Sequence, residues 1–157
     1  MKKKNTGQFR NTVWDPLLIT SQILSVQSVF YASYGLLTFI VCSVAGLPIS
    51  VGQMFDSKII GAVSYDGKLQ IMVFLINSLI CALSIWFIVQ RAKQCLDFTV
   101  TAHFVHFLLC CFIVGFPKSG IWWVMVMVSV IITALLSEYL CMRYEMKAIP
   151  VTVSGVS

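Results

Sequence analysis

The sequence predicts an all-α membrane protein, a bundle of four transmembrane helices with both termini in the cytosol. Its composition, four long uncharged stretches and the distribution of its basic residues support this prediction. Of 157 residues, 59% are hydrophobic and 11% are charged, whereas a soluble domain carries about 25% charged residues. So few charges cannot cover a surface in water, so most of the surface must face lipid. The net charge of +5 comes from a few clusters, which argues against a nucleic-acid-binding face.

Four stretches contain no Asp, Glu, Lys or Arg, namely 17–44, 69–89, 98–116 and 120–137. A membrane span needs about 20 mainly apolar residues, and lipid leaves backbone groups no partner but the helix itself. The first stretch is longer than necessary, so it either tilts or ends before Val44. We therefore expect one domain with spans at 17–44, 69–89, 98–116 and 120–142. A basic segment, 1–13, and a short tail, 143–157, flank it.

The basic residues of the connections predict the orientation. Eight of the 11 lie on one side, and these are Lys2, Lys3, Lys4, Arg10, Arg91, Lys93, Arg143 and Lys147. The other side holds Lys58, Lys68 and Lys118. Because cytosolic connections carry an excess of Lys and Arg, we expect both termini and the turn 90–97 in the cytosol. The loop 45–68 and the turn 117–119 should then be lumenal.

Small side chains recur along the first span at alternating spacings of four and three residues. They are Ser21, Ser25, Ser28, Ala32 and Gly35. Helices associate in lipid through close packing at small residues, so this stripe predicts a helix–helix seam. Its period favours a left-handed crossing.

Polar residues of the second and third spans share faces that should point into the bundle, because polar groups avoid lipid. Asn77 lies on such a face with Cys81 and Ser84, and His103 and His106 lie on another with Thr99 and Cys110. The two histidines could ligate a metal. No carboxylate occurs in this span, however, so we favour a hydrogen-bonding role and expect no bound metal.

Several residues are typical of membrane boundaries. Asp15 before Pro16 suits the N-cap and first position of a helix. Trp14, Trp122 and Trp123 are predicted to anchor the bundle at the headgroup level, where tryptophan is enriched.

Two cysteines, Cys95 and Cys141, should lie near the cytosolic membrane face. They could be palmitoylated or pack as small side chains. No C-x-x-C pair, nucleophile–base arrangement, phosphate loop or cofactor fingerprint occurs in the sequence. We therefore expect neither an enzyme nor a cofactor.

Six peptides resemble one known family. They are Gly-Gln-Phe-Arg at 7–10, Trp-Asp-Pro-Leu-Leu-Ile at 14–19, Gln-Met-Phe-Asp at 53–56, Lys-Gln-Cys-Leu-Asp-Phe-Thr-Val-Thr at 93–101, Glu-Tyr-Leu-Cys-Met-Arg at 138–143 and Ile-Pro at 149–150. Their residues and order are similar to those of the Sys-one family of Golgi membrane proteins. The resemblance covers almost the whole chain, and the run at 93–101 is its most specific part.

The resemblance implies a multi-pass protein of the trans-Golgi that acts in vesicle traffic. It also implies a receptor for an Arf-related small GTPase whose N-terminus is acetylated. We expect the docking surface on the cytosolic face, formed by Trp14, Asp15, Arg91, Lys93, Gln94, Asp97 and Arg143. An alternative is that the basic residues only set topology. Two other functions stay open, namely a transporter or channel lined by the polar faces, and a metal enzyme using His103 and His106.

Overall fold

The computed structural model describes residues 15–56, 58–60 and 63–148. Four α-helices run from Pro16 to Ala45 (α1), Tyr65 to Val89 (α2), Ala92 to Ile113 (α3) and Gly120 to Ala148 (α4), and a 3₁₀ helix spans Val51–Met54. All four α-helices are long and apolar enough to cross a membrane, and the described ranges contain no strand. The predicted all-α, four-span architecture is therefore confirmed.

The caps of α1 set its length. Asp15 is the N-cap, as predicted, and its carboxylate accepts a hydrogen bond from the backbone N–H of Leu17 at 3.1 Å. The helix does not end before Val44, because it continues to Ala45 and is closed by Gly46. Gly46 adopts a left-handed φ of 67°, which glycine tolerates without a Cβ clash.

The turn between α3 and α4 is longer than the uncharged stretches predict. α3 ends at Ile113, before the predicted end of the span at 116. Gly115 has a φ of 102°, and Pro117 follows in the turn, so the helix cannot continue although the residues are apolar. α4 extends to Ala148, past the predicted end at 142.

Two hydrogen bonds show how the helices alternate in direction. The Gln22 side-chain amide donates to the Ile88 carbonyl at 3.1 Å, which joins the start of α1 to the end of α2. The Ala92 N–H donates to the Glu145 carboxylate at 3.3 Å, which joins the start of α3 to the end of α4. We call this end of the bundle the Asp15 end and the opposite end the Gly46 end.

The helices form a ring in which α1 packs on α2, α2 on α4, and α4 on α3. α1 meets α3 over a smaller area. α1 and α4 are diagonal, since no Cα atoms of these two helices lie within 8 Å of each other.

The small-residue stripe of α1 faces outward, so the predicted seam there is wrong. Ser21, Ser25, Ser28 and Ala32 are exposed, and Gly35 is half-buried next to the Met54 side chain. The three serine hydroxyls donate to carbonyls of their own helix, so they need no partner across a helix interface. The buried face of α1 carries larger side chains instead, which are Val26, Phe30, Tyr34, Thr38 and Cys42.

The small-residue seam lies on α4. Ser129, Thr133, Ser137 and Cys141 follow each other every fourth residue and are buried. α4 packs against both α2 and α3, and small side chains let both neighbours approach closely. Sequence reasoning missed this stripe, although its four-residue spacing was visible.

The two tryptophans that were predicted on the lumenal side differ in position. Trp122 is 1% exposed and belongs to the core, so its predicted role as a boundary anchor is wrong. Trp123 is 40% exposed, and its indole N–H donates to the Pro117 carbonyl at 3.3 Å. Of these two residues, Trp123 is the one with the exposure expected of an interfacial anchor.

Candidate functional site

The Asp15 end collects six of the seven residues predicted to bind a partner. These are Asp15, Arg91, Lys93, Gln94, Asp97 and Arg143. The seventh, Trp14, lies outside the described residues. The six come from three helices that are far apart in sequence, and the bonds at Ile88 and Ala92 hold these helix ends together.

The six side chains are not equally available to a partner. The Asp15 carboxylate accepts from the N–H groups of Leu17 and Leu18 at 3.1 and 3.4 Å, so it serves as a helix cap. Gln94 is half-buried in the first turn of α3. The exposed members that do not cap a helix with their side chains are therefore the cations Arg91, Lys93 and Arg143 and the carboxylate of Asp97.

The cations lie where two helices reach the surface. Arg91 is the N-cap of α3, with an extended backbone and no side-chain capping bond. Lys93 follows in the first turn. Arg143 lies near the end of α4, where its guanidinium donates to the Tyr139 hydroxyl of the same helix at 3.5 Å. All three positive charges are exposed.

Asp97 faces away from the bundle. Cys95, two residues earlier, is fully buried, and two helical residues are about 200° apart around the helix axis. Asp97 is exposed, although its helix belongs to the membrane domain. Its carboxylate therefore points outward near the start of α3.

Glu145 is a residue that sequence reasoning missed. The first N–H groups of a helix lack partners within the helix, and Arg91 has no side-chain oxygen to cap them. The Glu145 carboxylate supplies one for Ala92, at 3.3 Å. A negative charge at this position also interacts favourably with the helix dipole. The partners are 53 residues apart in sequence, so no local pattern could have revealed the contact.

The polar groups of the interior join helices to one another. The His103 imidazole bridges the Thr99 carbonyl and the Ser129 hydroxyl, both at 2.9 Å, which links α3 to α4. His106 faces α1 instead, with its Nδ1 3.4 Å from the Tyr31 hydroxyl. Both histidines are buried, as predicted, but they approach different helices. The described residues contain no group of three His, Cys, Asp or Glu side chains that could hold a metal.

Asn77 is buried as predicted, and its neighbours extend the same pattern. The Ser33 hydroxyl donates to the Asn77 side-chain oxygen at 2.6 Å, which links α1 to α2. The Thr133 hydroxyl donates to the Ser78 carbonyl at 3.2 Å, which links α4 to α2. The polar faces of the second and third spans thus act as contacts between helices.

The peptide 53–56 covers the edge between α1 and α3 at the Gly46 end. The Gln53 amide donates to the Pro48 carbonyl at 2.7 Å, which closes the loop on itself. The Phe55 ring stacks on His106, with centroids 6.0 Å apart and planes 30° apart. It also contacts the Tyr31 ring at 6.1 Å. This loop therefore adds packing between α1 and α3, which contact each other less extensively than α1 contacts α2.

Cys95 and Cys141 are both fully buried, and their sulfur atoms are 3.2 Å apart. An acyl chain on either sulfur would have to leave the interior of the bundle to reach lipid. The structure therefore contradicts palmitoylation at these two positions and supports the alternative, that they pack as small side chains.

Comparisons with known proteins agree with the resemblance. The family model described as SYS1, integral membrane protein S linking to the trans Golgi network, matches residues 9–151. The chain is 46% identical over 147 residues to the protein SYS1 homolog of Nematostella vectensis, covering 94% of each chain. It is 37% identical over 142 residues to the protein SYS1 homolog of Dictyostelium discoideum, covering 90% of this chain and 61% of that relative. No solved structure matches. The chain therefore belongs to the SYS1 family of integral membrane proteins of the trans-Golgi network.

Proposed function

We propose that this protein is a membrane receptor at the trans-Golgi that recruits an Arf-related small GTPase with an acetylated N-terminus. The proposal builds on family membership and on one structural observation. Several polar groups inside the bundle bond to each other across helices, although the Gln27 side-chain amide, the Thr38 hydroxyl and the Asn77 amide nitrogen have no partner among the described residues. The Asp15 end, in contrast, exposes three cations and the Asp97 carboxylate. We name these four residues, Arg91, Lys93, Asp97 and Arg143, the docking cluster.

Asp97 carries the argument. Cytosolic connections are enriched in Lys and Arg, which set the orientation of a membrane protein. The basic residues at this end of the bundle therefore need no partner to explain them. Acidic residues contribute little to topology, so this rule does not account for an outward-facing carboxylate. A partner with a basic patch beside an acidic one would pair with Asp97 and Lys93 together.

The recruitment of such a GTPase has a physical rationale. One lipid chain or one amphipathic helix gives only marginal, reversible membrane binding, and stable attachment takes two signals. A contact with a protein that resides in one organelle supplies the second signal and determines which membrane the GTPase binds. For this to operate, the Asp15 end must face the cytosol, as the distribution of Lys and Arg predicts.

The test replaces Lys93 and Asp97 together with alanine. The matched control is Lys58→Ala with Asp66→Ala, an exposed cation and carboxylate at the Gly46 end. We expect the first variant to bind the purified GTPase at least about tenfold more weakly, which corresponds to 1.4 kcal/mol. In cells, the GTPase should leave the Golgi while the variant stays there.

The control variant should bind the GTPase as the wild-type protein does. If the Lys93/Asp97 variant reaches the Golgi and the GTPase still localises normally, the docking cluster is not the binding site. If the wild-type protein in nanodiscs binds no Arf-related GTPase in either nucleotide state, the receptor function itself is wrong.

A further inference from the structure

Two of the six cysteines meet at the Asp15 end. Cys95, in the first turn of α3, and Cys141, in the last part of α4, are both 0% exposed, and their Sγ atoms are 3.2 Å apart. We propose that Cys95 and Cys141 are a redox-active pair that forms a reversible disulfide between α3 and α4. The proposal concerns this pair alone and stands whether or not the protein binds a GTPase.

The geometry requires only a small movement. A disulfide bond is about 2.05 Å long, so the sulfur atoms must approach each other by a little more than 1 Å. α3 and α4 are packed neighbours, and the bond between Ala92 and Glu145 holds the start of α3 against α4. Because both sulfur atoms are 0% exposed, an oxidant can reach them only when the contact between α3 and α4 opens locally.

Two of the other cysteines have neighbours that are not cysteines of another helix. The Cys42 thiol lies 3.5 Å from the Gln53 side-chain oxygen, and the Cys110 thiol lies 3.6 Å from the His106 Nε2 atom. The Cys95 thiol has a second acceptor, the Arg91 carbonyl, at 3.3 Å. Cys95 and Cys141 are thus a thiol pair placed for reaction with each other.

The chemistry needs a two-electron oxidant, and a hydroperoxide is sufficient. One thiol, as thiolate, attacks the peroxide oxygen and becomes a sulfenic acid, while the O–O bond breaks and the leaving oxygen is protonated to water or an alcohol. The second sulfur attacks the sulfenic sulfur, and water leaves. Overall, two S–H bonds are lost, one S–S bond forms, and the peroxide is reduced. A cellular dithiol reverses the reaction by thiol–disulfide exchange.

The predicted location suits a transient bond. The Asp15 end is expected in the cytosol, where disulfides are usually transient and redox-sensing. Oxidation would fix the turn that carries Arg91 and Lys93 to the part of α4 that carries Arg143. The pair is therefore a switch between a locked and an unlocked surface at this end.

The test uses the full-length protein in membranes, treated with hydrogen peroxide or diamide. Denaturant and N-ethylmaleimide then block the remaining thiols, and endoproteinase Lys-C cuts after Lys93, Lys118 and Lys147. The peptide 119–147 contains only one cysteine, Cys141, and the peptide 94–118 contains Cys95, Cys110 and Cys111. We expect these peptides to be linked, to separate on reduction, and to give fragment ions that place the bond at Cys95.

Two variants serve as matched controls. Cys95→Ser should abolish the linked peptides, whereas Cys111→Ser, a half-buried cysteine of the same helix, should leave them. If Cys141 is fully alkylated after an oxidant treatment that converts free glutathione to its disulfide, the proposal is wrong. It is also wrong if Cys141 is linked to Cys110 or Cys111. Should Cys95→Ser fail to fold, the fragment ions of the wild-type protein decide the question alone.

Discussion

The position of the small-residue seam can be tested with one pair of substitutions, Ser137→Leu and Ser25→Leu. The two serines are chemically matched, because each hydroxyl donates to a carbonyl of its own helix, at 3.1 Å for Ser137 and 2.8 Å for Ser25. Ser137 also contacts the Cys95 thiol of α3, and the alanine substitution at position 137 accounts for the loss of that contact. The positions differ in burial, since Ser137 is 0% exposed in the α4 seam and Ser25 is exposed.

The expected magnitudes follow from this difference. A leucine at position 137 adds methylene and methyl groups where α2 and α3 approach α4, and overpacking of this kind costs about 1–3 kcal/mol. A leucine at position 25 faces outward, where substitutions usually stay within about 0.5 kcal/mol. We expect Ser137→Leu to lower the free energy of unfolding by about 2 kcal/mol relative to Ser25→Leu, a factor of about 30 in the folded-to-unfolded ratio.

The assay is reversible unfolding of the purified protein in mixed micelles, with sodium dodecyl sulfate as the denaturant. Tryptophan fluorescence, to which the buried Trp122 contributes together with the three other tryptophans, reports the change in tertiary structure, and far-UV circular dichroism reports loss of helix. The alanine substitutions at both positions are controls that remove the hydroxyl without adding volume. If Ser25→Leu is as destabilising as Ser137→Leu, the α1 stripe packs against another surface and the assignment of the seam to α4 alone is refuted.

Three further predictions concern single contacts. Ser129→Ala removes one of the two hydrogen-bond partners of His103. It should lower the free energy of unfolding by about 0.6 kcal/mol, and by at most about 1.7 kcal/mol, in the same assay. No change would show that this hydrogen bond between α3 and α4 does not contribute to stability. Glu145→Ala removes the cap of α3, should cost about 0.5–2 kcal/mol, and should speed hydrogen exchange at Ala92 specifically; unchanged exchange there would contradict the capping role. Phe55→Ala removes two aromatic contacts worth about 0.5–1.5 kcal/mol each, so the unfolding midpoint should fall, whereas an unchanged midpoint would show that the loop does not support the bundle.

Much of the fold could be predicted from local patterns. The uncharged stretches located all four helices, and Asp15 before a proline located the start of α1. The inward orientation of Asn77, His103 and His106 followed from the cost of placing polar groups in lipid. The end of α3 was missed because apolar composition does not reveal a positive φ, which Gly115 adopts.

The candidate site was predicted less completely. Sequence reasoning grouped the charged residues of the helix ends, and it placed Asp15 in the docking surface with Asp97 although it also identified Asp15 as a helix N-cap. The structure separates them, since Asp15 caps its own helix and Asp97 points outward. Local sequence indicated the cap at Asp15, but the outward position of Asp97 depends on the rotation of α3 against its neighbours.

The sequence by itself determined the number of helices, four of their eight ends to within one residue and the class of residues in the interior. These properties depend on hydropathy over one segment and on caps a few residues away. Only the tertiary structure decided which faces meet. A transmembrane helix is apolar on all sides and lipid is as apolar as leucine, so hydropathy does not mark the buried face, and the small residues of α1 and α4 were equally good candidates.

The contacts that join distant segments were decided in the same way. Cys95 meets Cys141 across 46 residues and Ala92 meets Glu145 across 53 residues. Each pair exists because two helices pack in one rotation and one register, and that choice is set by all side chains of the bundle together.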